Sequence, residues 1–107
     1  MRKMSADTEG IAAYAASADV MSGEMAAAGV SAAGAEPALL GPIFGLVGGD
    51  FMAAYAAVHA GHVAAIGQLA AVLTSIGGAT SVAAAALTET DRSTTDAITS
   101  ASSGLDV

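Results

Sequence analysis

Apolar residues along the chain recur by threes and fours in two long blocks, and the pattern stops in the stretch between them. In the first block Ile11, Tyr14, Ala18, Met21, Met25, Ala28 and Ala32 share one face of a helix, while Ser17, Asp19 and Glu24 lie off it. This predicts a helix over about 7–33. Ser5 or Asp7 would cap it, and Asp7 and Glu9 sit where the positive end of the helix dipole favours anions.

The second block predicts a longer helix over about 50–88, with Asp50 as its N-cap. Its expected seam is Tyr55, Val58, His62, Ala65, Leu69, Val72, Ile76, Ala79 and Ala83. A second stripe, Met52, His59, Ile66, Leu73 and Leu87, runs beside the first. Two adjacent stripes are wider than one antiparallel neighbour covers. The second stripe is therefore the expected interface for another chain, with Gly61 and Gly67 permitting close backbone approach. Gly77 and Gly78 mark an expected kink or break, since each is unfavourable in a helix interior by about 1 kcal/mol relative to Ala.

Between the blocks, GAEPALLGPIFGLVGG (34–49) holds both prolines and many glycines and is expected to connect the helices. Leu39, Leu40, Ile43, Phe44 and Val47 are too apolar for a solvated loop and should tuck against the helices or a partner. After Asp91 the sequence RSTTDAITSASSGLDV is rich in Ser, Thr and Asp, and a frayed turn or two followed by disorder is expected. The fold class read from these patterns is all-α: an antiparallel helical hairpin over residues 1–90, with a Gly/Pro-rich connector, and a flexible C-terminal tail over 91–107.

Composition narrows the function classes. The chain is 54% hydrophobic and 12% charged, but with 4% aromatic and no Trp its apolar content is largely Ala, which buries little area per residue. A helical partner, or a homo-oligomer, is expected to complete the core. A net charge of −7, with Arg2, Lys3 and Arg92 as the fixed cations, leaves no basic patch for nucleic acid or for an anionic membrane surface. Without Cys there is no thiol chemistry. Asp7, Glu9 and Asp19 interrupt any apolar run behind the N-terminal cations, so no cleavable signal peptide is expected.

From Phe51 to Thr88 no charged residue occurs, and length alone would allow a single membrane span, best placed at about 69–87. Against the span stand the Ala-rich composition, the hydroxyl residues, the paired glycines and the lack of flanking Lys or Arg clusters. Close helix packing through small side chains accounts for the same run. The small integral membrane protein is kept as the alternative.

Candidate chemistry is sparse. His59 and His62 lie three apart and could share a metal only if Asp19 or Glu24 joined them across the hairpin; core or interface histidines are the commoner case. Met21 and Met25 could form an adaptable surface or simply fill the seam. No nucleophile elbow and no phosphate-binding glycine motif is present. No enzymatic activity, cofactor or metal is expected.

The stretch GPIFGLVGGDFMAAYAAVHAGHVAAIGQL, an Ala-rich helix and then LTETD together resemble the EspC-like family of type VII (ESX) secretion substrates of actinobacteria. The features that carry the resemblance are Gly41-Pro42, Phe51, Tyr55 with His59 four residues on, and Asp91; they span about half the chain. It implies a small helical protein, secreted or associated with the cell envelope, that travels folded as a helical pair and is recognised by the type VII secretion ATPase. In that wider group export is directed by Tyr-x-x-x-Asp/Glu just after the second helix, often beside a Trp-x-Gly turn. Here Leu87-x-x-x-Asp91 stands in that place, with Leu for Tyr, and no Trp exists. Leu87 and Asp91 are thus the secretion-signal candidates, and a plain solvated helix end is the other reading of LTETD.

Overall fold

The computed structural model describes residues 4–105; Arg2 and Lys3, and the last two residues of the expected tail, lie outside the described part. The chain is all-helical among these residues, in the order α1 (Thr8–Gly34), a 3-10 turn (Pro37–Leu40), α2 (Gly41–Phe44) and α3 (Gly49–Leu105).

α1 begins where the sequence predicts. Asp7 is extended, and its Oδ1 accepts a hydrogen bond from the Gly10 amide at 3.0 Å, which satisfies one of the free donors of the first turn. The helix stops at Gly34 because Glu36 precedes Pro37 and takes an extended conformation. Pro37 and Pro42 then open the 3-10 turn and α2, each at a position where a missing N–H costs nothing. Gly45 carries a φ of +58°, which reverses the chain after α2 and which a residue with a Cβ adopts only with strain.

Burial follows one rule in both long helices. In α1 the covered positions are Thr8, Ile11, Ala15, Ala18, Ser22, Met25, Gly29 and Ala32; in α3 they are Met52, His59, Val63, Ile66, Ala70, Leu73, Gly77, Thr80, Ala84 and Leu87. Steps of three and four alternate almost throughout, the period of helices that pack along a coiled-coil seam. The contacts run in opposite numerical order. Gly29 lies against Ile66, Ser22 against Ala70 and Thr74, and Ala15 and Asp19 against Gly77. Thr8, Glu9 and Ala12 border a groove with Ser81, Ala84 and Thr88.

Small side chains set the closeness of this contact. A Cβ on Gly29 would sit 3.3 Å from Ile66 Cγ2, and a Cβ on Gly77 would sit 3.2 Å from the Ala15 carbonyl oxygen and 3.0 Å from Asp19 Cγ. Between these two points Ser22 Oγ donates to the Ala70 carbonyl at 3.0 Å, Thr74 Oγ1 donates to the same oxygen at 3.1 Å, and the two hydroxyls touch. The buried residues are Ala15, Ala18, Ala70, Ala84 and Gly77, and no large side chain among those described is fully buried.

Several expectations are corrected here. The predicted seam of α1 is right at Ile11, Ala18, Met25 and Ala32, but Tyr14, Met21 and Ala28 are exposed; Ala15, Ser22 and Gly29 replace them. The contact is too close to admit a Tyr ring. Gly77-Gly78 does not end the helix, because Gly77 is the point of closest approach and α3 passes through it unbroken. α3 also runs on past the expected end near 88 to Leu105. No proline interrupts it, and Thr95 and Ser103 bond back to the carbonyls of Asp91 and Thr99, one turn earlier.

The long axis is accordingly set by α3. The principal extents are 94 × 24 × 13 Å and the radius of gyration is 25.4 Å, about twice the roughly 13 Å of a compact domain of this length. Two substitutions test the close approach at Gly77. Gly78→Ala, which meets open space, should stabilise the chain by about 0.5–1 kcal/mol. Gly77→Val should destabilise it by about 1–3 kcal/mol through overpacking. Thermal unfolding followed by circular dichroism reads both, and equal shifts would refute the contact.

Candidate functional site

The two apolar stripes of α3 are divided between α1 and solvent, and the division reverses the expected one. Met52, His59, Ile66, Leu73 and Leu87, expected to meet another chain, are half-buried on the α1 side. They are taken up because their spacing of seven, completed by Val63, Ala70, Gly77, Thr80 and Ala84, places the smallest residues of α3 on that face. Tyr55, Val58, His62, Leu69, Val72 and Ile76, expected to form the internal seam, are exposed instead. Val58 is 72% exposed and Val72 52%.

This uncovered stripe lies on α3 about a quarter-turn from the covered one. The total accessible surface is 7941 Å², against roughly 5300 Å² for a compact monomer of the same mass. The excess reflects the rod shape, and Val58, Leu69 and Val72 are among the large apolar residues it leaves exposed.

A ladder of rings marks the start of α3. Phe44 lies 5.5 Å from Phe51, Phe51 6.1 Å from Tyr55, and Tyr55 6.2 Å from His59, between ring centroids. Three of the four are spaced by four residues, so consecutive turns of α3 stack them; Phe44 joins only because α2 folds back. The i, i+4 spacing of Phe51, Tyr55 and His59 is the signal in the sequence for this stack. Tyr55 also borders a shallow apolar pocket with Ala35, Glu36, Pro37, Leu39 and Leu40, which ties the connector to α3.

His59 and His62 are not drawn together with an acid. His59 is half-buried beside Tyr55, His62 is exposed, and Asp19 lies beside Gly77, about four turns along α3. Among the described residues no group of three or more His, Cys, Asp or Glu side chains is gathered to hold a metal ion. Met25 fills the seam, and Met21 is exposed.

At the far end of the seam Leu87 is half-buried and Asp91, one turn on, is exposed. Both belong to the continuous helix, not to a loop after it. Glu9, Thr88, Glu89 and Arg92 rim an open groove there, floored by Ala12, Ala84 and Ala85. The hydrophobic member of the pair is therefore turned toward α1, while the acid is presented to solvent beyond the start of that helix.

The chain matches, over residues 1–100, the family described as excreted virulence factor EspC, type VII ESX diderm. It belongs to that family, and so to the substrates of type VII ESX secretion. No curated protein and no solved structure matches it significantly.

The assignment of the two stripes is open to a direct check. Ile66→Ala and Leu73→Ala, which thin the contact with α1, should each cost about 1–3 kcal/mol of stability. Leu69→Ala and Val72→Ala, on the exposed stripe, should stay within about 0.5 kcal/mol of the parent. Chemical denaturation at a concentration low enough to suppress self-association reads the difference, and the reverse ranking would overturn the assignment.

Proposed function

We propose that this type VII substrate is exported as an antiparallel helical hairpin with a Gly/Pro-rich connector, and acts outside the cell or at its envelope by helix–helix association, without catalysis. The observation that carries the reading is the uncovered stripe Tyr55, Val58, His62, Leu69, Val72 and Ile76 on a chain of an excreted family. The opposite numerical order of the α1 and α3 contacts supports the hairpin. The occupant of the stripe is a helical partner or another copy of the chain.

The export determinant in this proposal is the exposed end of the seam, with Leu87 set in place by α1 and Asp91 offered to the secretion ATPase. An acid held on a rigid helix loses little conformational freedom on recognition. Past Asp91, α3 has no facing helix among the described residues, and this segment is the part of the helix expected to fray; as a proposal, it is the flexible tail.

A second reading has one observation in its favour: α3 is long and apolar enough to cross a membrane, by length and composition. The span at about 69–87 would place Thr74, Ser75, Gly77, Gly78, Thr80 and Ser81 in the bilayer. In the hairpin the same small and hydroxyl residues have a different use, since Gly77 and Thr74 contact α1.

Three measurements test the reading. Asp91→Ala should lower the amount of protein in culture filtrate at least tenfold while cell-associated protein accumulates; undiminished export removes Asp91 from the signal. Leu69→Asp with Val72→Asp should abolish association in sedimentation analysis with helix content unchanged. Carbonate extraction of membranes should release the parent protein, and retention in the pellet would favour the span.

A further inference from the structure

The turn at 45–48, which joins α2 to α3, carries the most exposed large apolar side chains among the described residues. Leu46 is 102% exposed and Val47 101%. Valine 47 was expected to tuck against the helices, yet both side chains project from the turn. Among the described residues their amides have no hydrogen-bond partner, and the Leu46 carbonyl accepts one long bond, 3.4 Å, from the Gly49 amide. One peptide bond thus combines full side-chain exposure with a backbone that the fold hardly uses.

An endoprotease takes its substrate as an extended strand, held by main-chain hydrogen bonds and by a pocket for one side chain. Helical backbone cannot enter such a cleft until it unwinds, and α1 and α3 account for most of the chain. The turn can enter without that cost. Gly45, Gly48 and Gly49 flank the pair and let the segment extend, and no charge occurs from Pro37 to Gly49 that an apolar cleft would have to desolvate. Pro37 and Pro42, whose missing amides would interrupt pairing with the cleft, both lie before Ile43. Phe44, the nearest aromatic residue, is tied down. Its ring packs on Phe51 at 5.5 Å, its carbonyl accepts from the Gly48 amide at 3.3 Å, and a Cβ on Gly48 would sit 2.6 Å from its own Cβ.

We propose that the peptide bond between Leu46 and Val47 is a processing site for an endoprotease with a deep apolar primary pocket, which this member of an excreted family meets outside the cell. Leu46 fills the pocket. Water adds across the bond: its oxygen goes to the Leu46 carbonyl carbon, which becomes a carboxylate, the C–N bond breaks, and the Val47 nitrogen takes the proton as a new amine. The seam contacts of Gly29 with Ile66, Ser22 with Thr74 and Ala15 with Gly77 lie outside the turn, so the cut removes none of them. It does remove the covalent link between α1 and α3. Their pairing then becomes an association of two chains and depends on concentration.

Brief digestion of the full-length protein with chymotrypsin, read by intact mass spectrometry, should yield first the fragments 1–46 and 47–107. That enzyme has a hydrophobic pocket that suits aromatic rings, and Tyr14, Phe51 and Tyr55 are each about half exposed but helical. A first cut after any of these, or after Phe44, overturns the proposal. Leu46→Asp should slow the cut at this bond at least tenfold with helix content unchanged, and an undiminished rate refutes the role of Leu46. Leu46→Lys should turn the same bond into a trypsin site; resistance would show that the backbone is not accessible there. In culture filtrate the parent should appear in part as the two fragments and Leu46→Asp as the intact chain. A parent found there solely intact overturns the processing role while leaving export in place.

Discussion

Two Ala-rich helices gain little from each methyl group they bury, so they hold together only if their backbones come close enough for many small contacts to add up. Gly29 under Ile66, and Gly77 under the Ala15 carbonyl and Asp19, are the points where this closeness is set. Between them Ser22 and Thr74 share the Ala70 carbonyl. A hydroxyl pair at one height of the seam favours one register, because sliding either helix would leave those polar groups without partners. The remaining architecture depends on that contact.

A close seam is also a narrow one. α1 covers a single row of α3 positions, from Met52 to Leu87, and leaves the neighbouring row with Leu69, Val72 and Ile76 in solvent. The excess of exposed apolar surface thus follows from the way the chain packs. The member of an excreted family described here is a thin rod with an open apolar side. The rod is polarised as well, with an uncharged tip of Leu and Val at one pole and a Ser- and Thr-rich acidic helix at the other.

Much of the local structure was legible in the sequence. Asp7 as cap, the stop before Pro37 and the uncharged run of α3 each follow from one or two residues whose chemistry acts within a few positions. The family could be read from Gly41-Pro42, Phe51, Tyr55, His59 and Asp91. The facing of the helices was less legible. Where Ala is the commonest residue, hydropathy does not separate one face from another, so larger residues such as Tyr14 and Met21 drew the predicted seam toward themselves. The half-burial of Met52, His59, Ile66, Leu73 and Leu87 on the α1 side was illegible for the same reason.

The sequence by itself determined the presence and start of the two long helices, the breaks around the prolines, the acidic character and the family, because propensity, capping and motif spacing act along the chain. Tertiary structure alone decided which stripe of α3 is covered, why Gly77 sits inside a helix, that Leu87 faces α1 while Asp91 does not, and that Leu46 and Val47 project. Those outcomes depend on how near two backbones approach, a quantity set jointly by residues some fifty positions apart, such as Ser22 and Thr74.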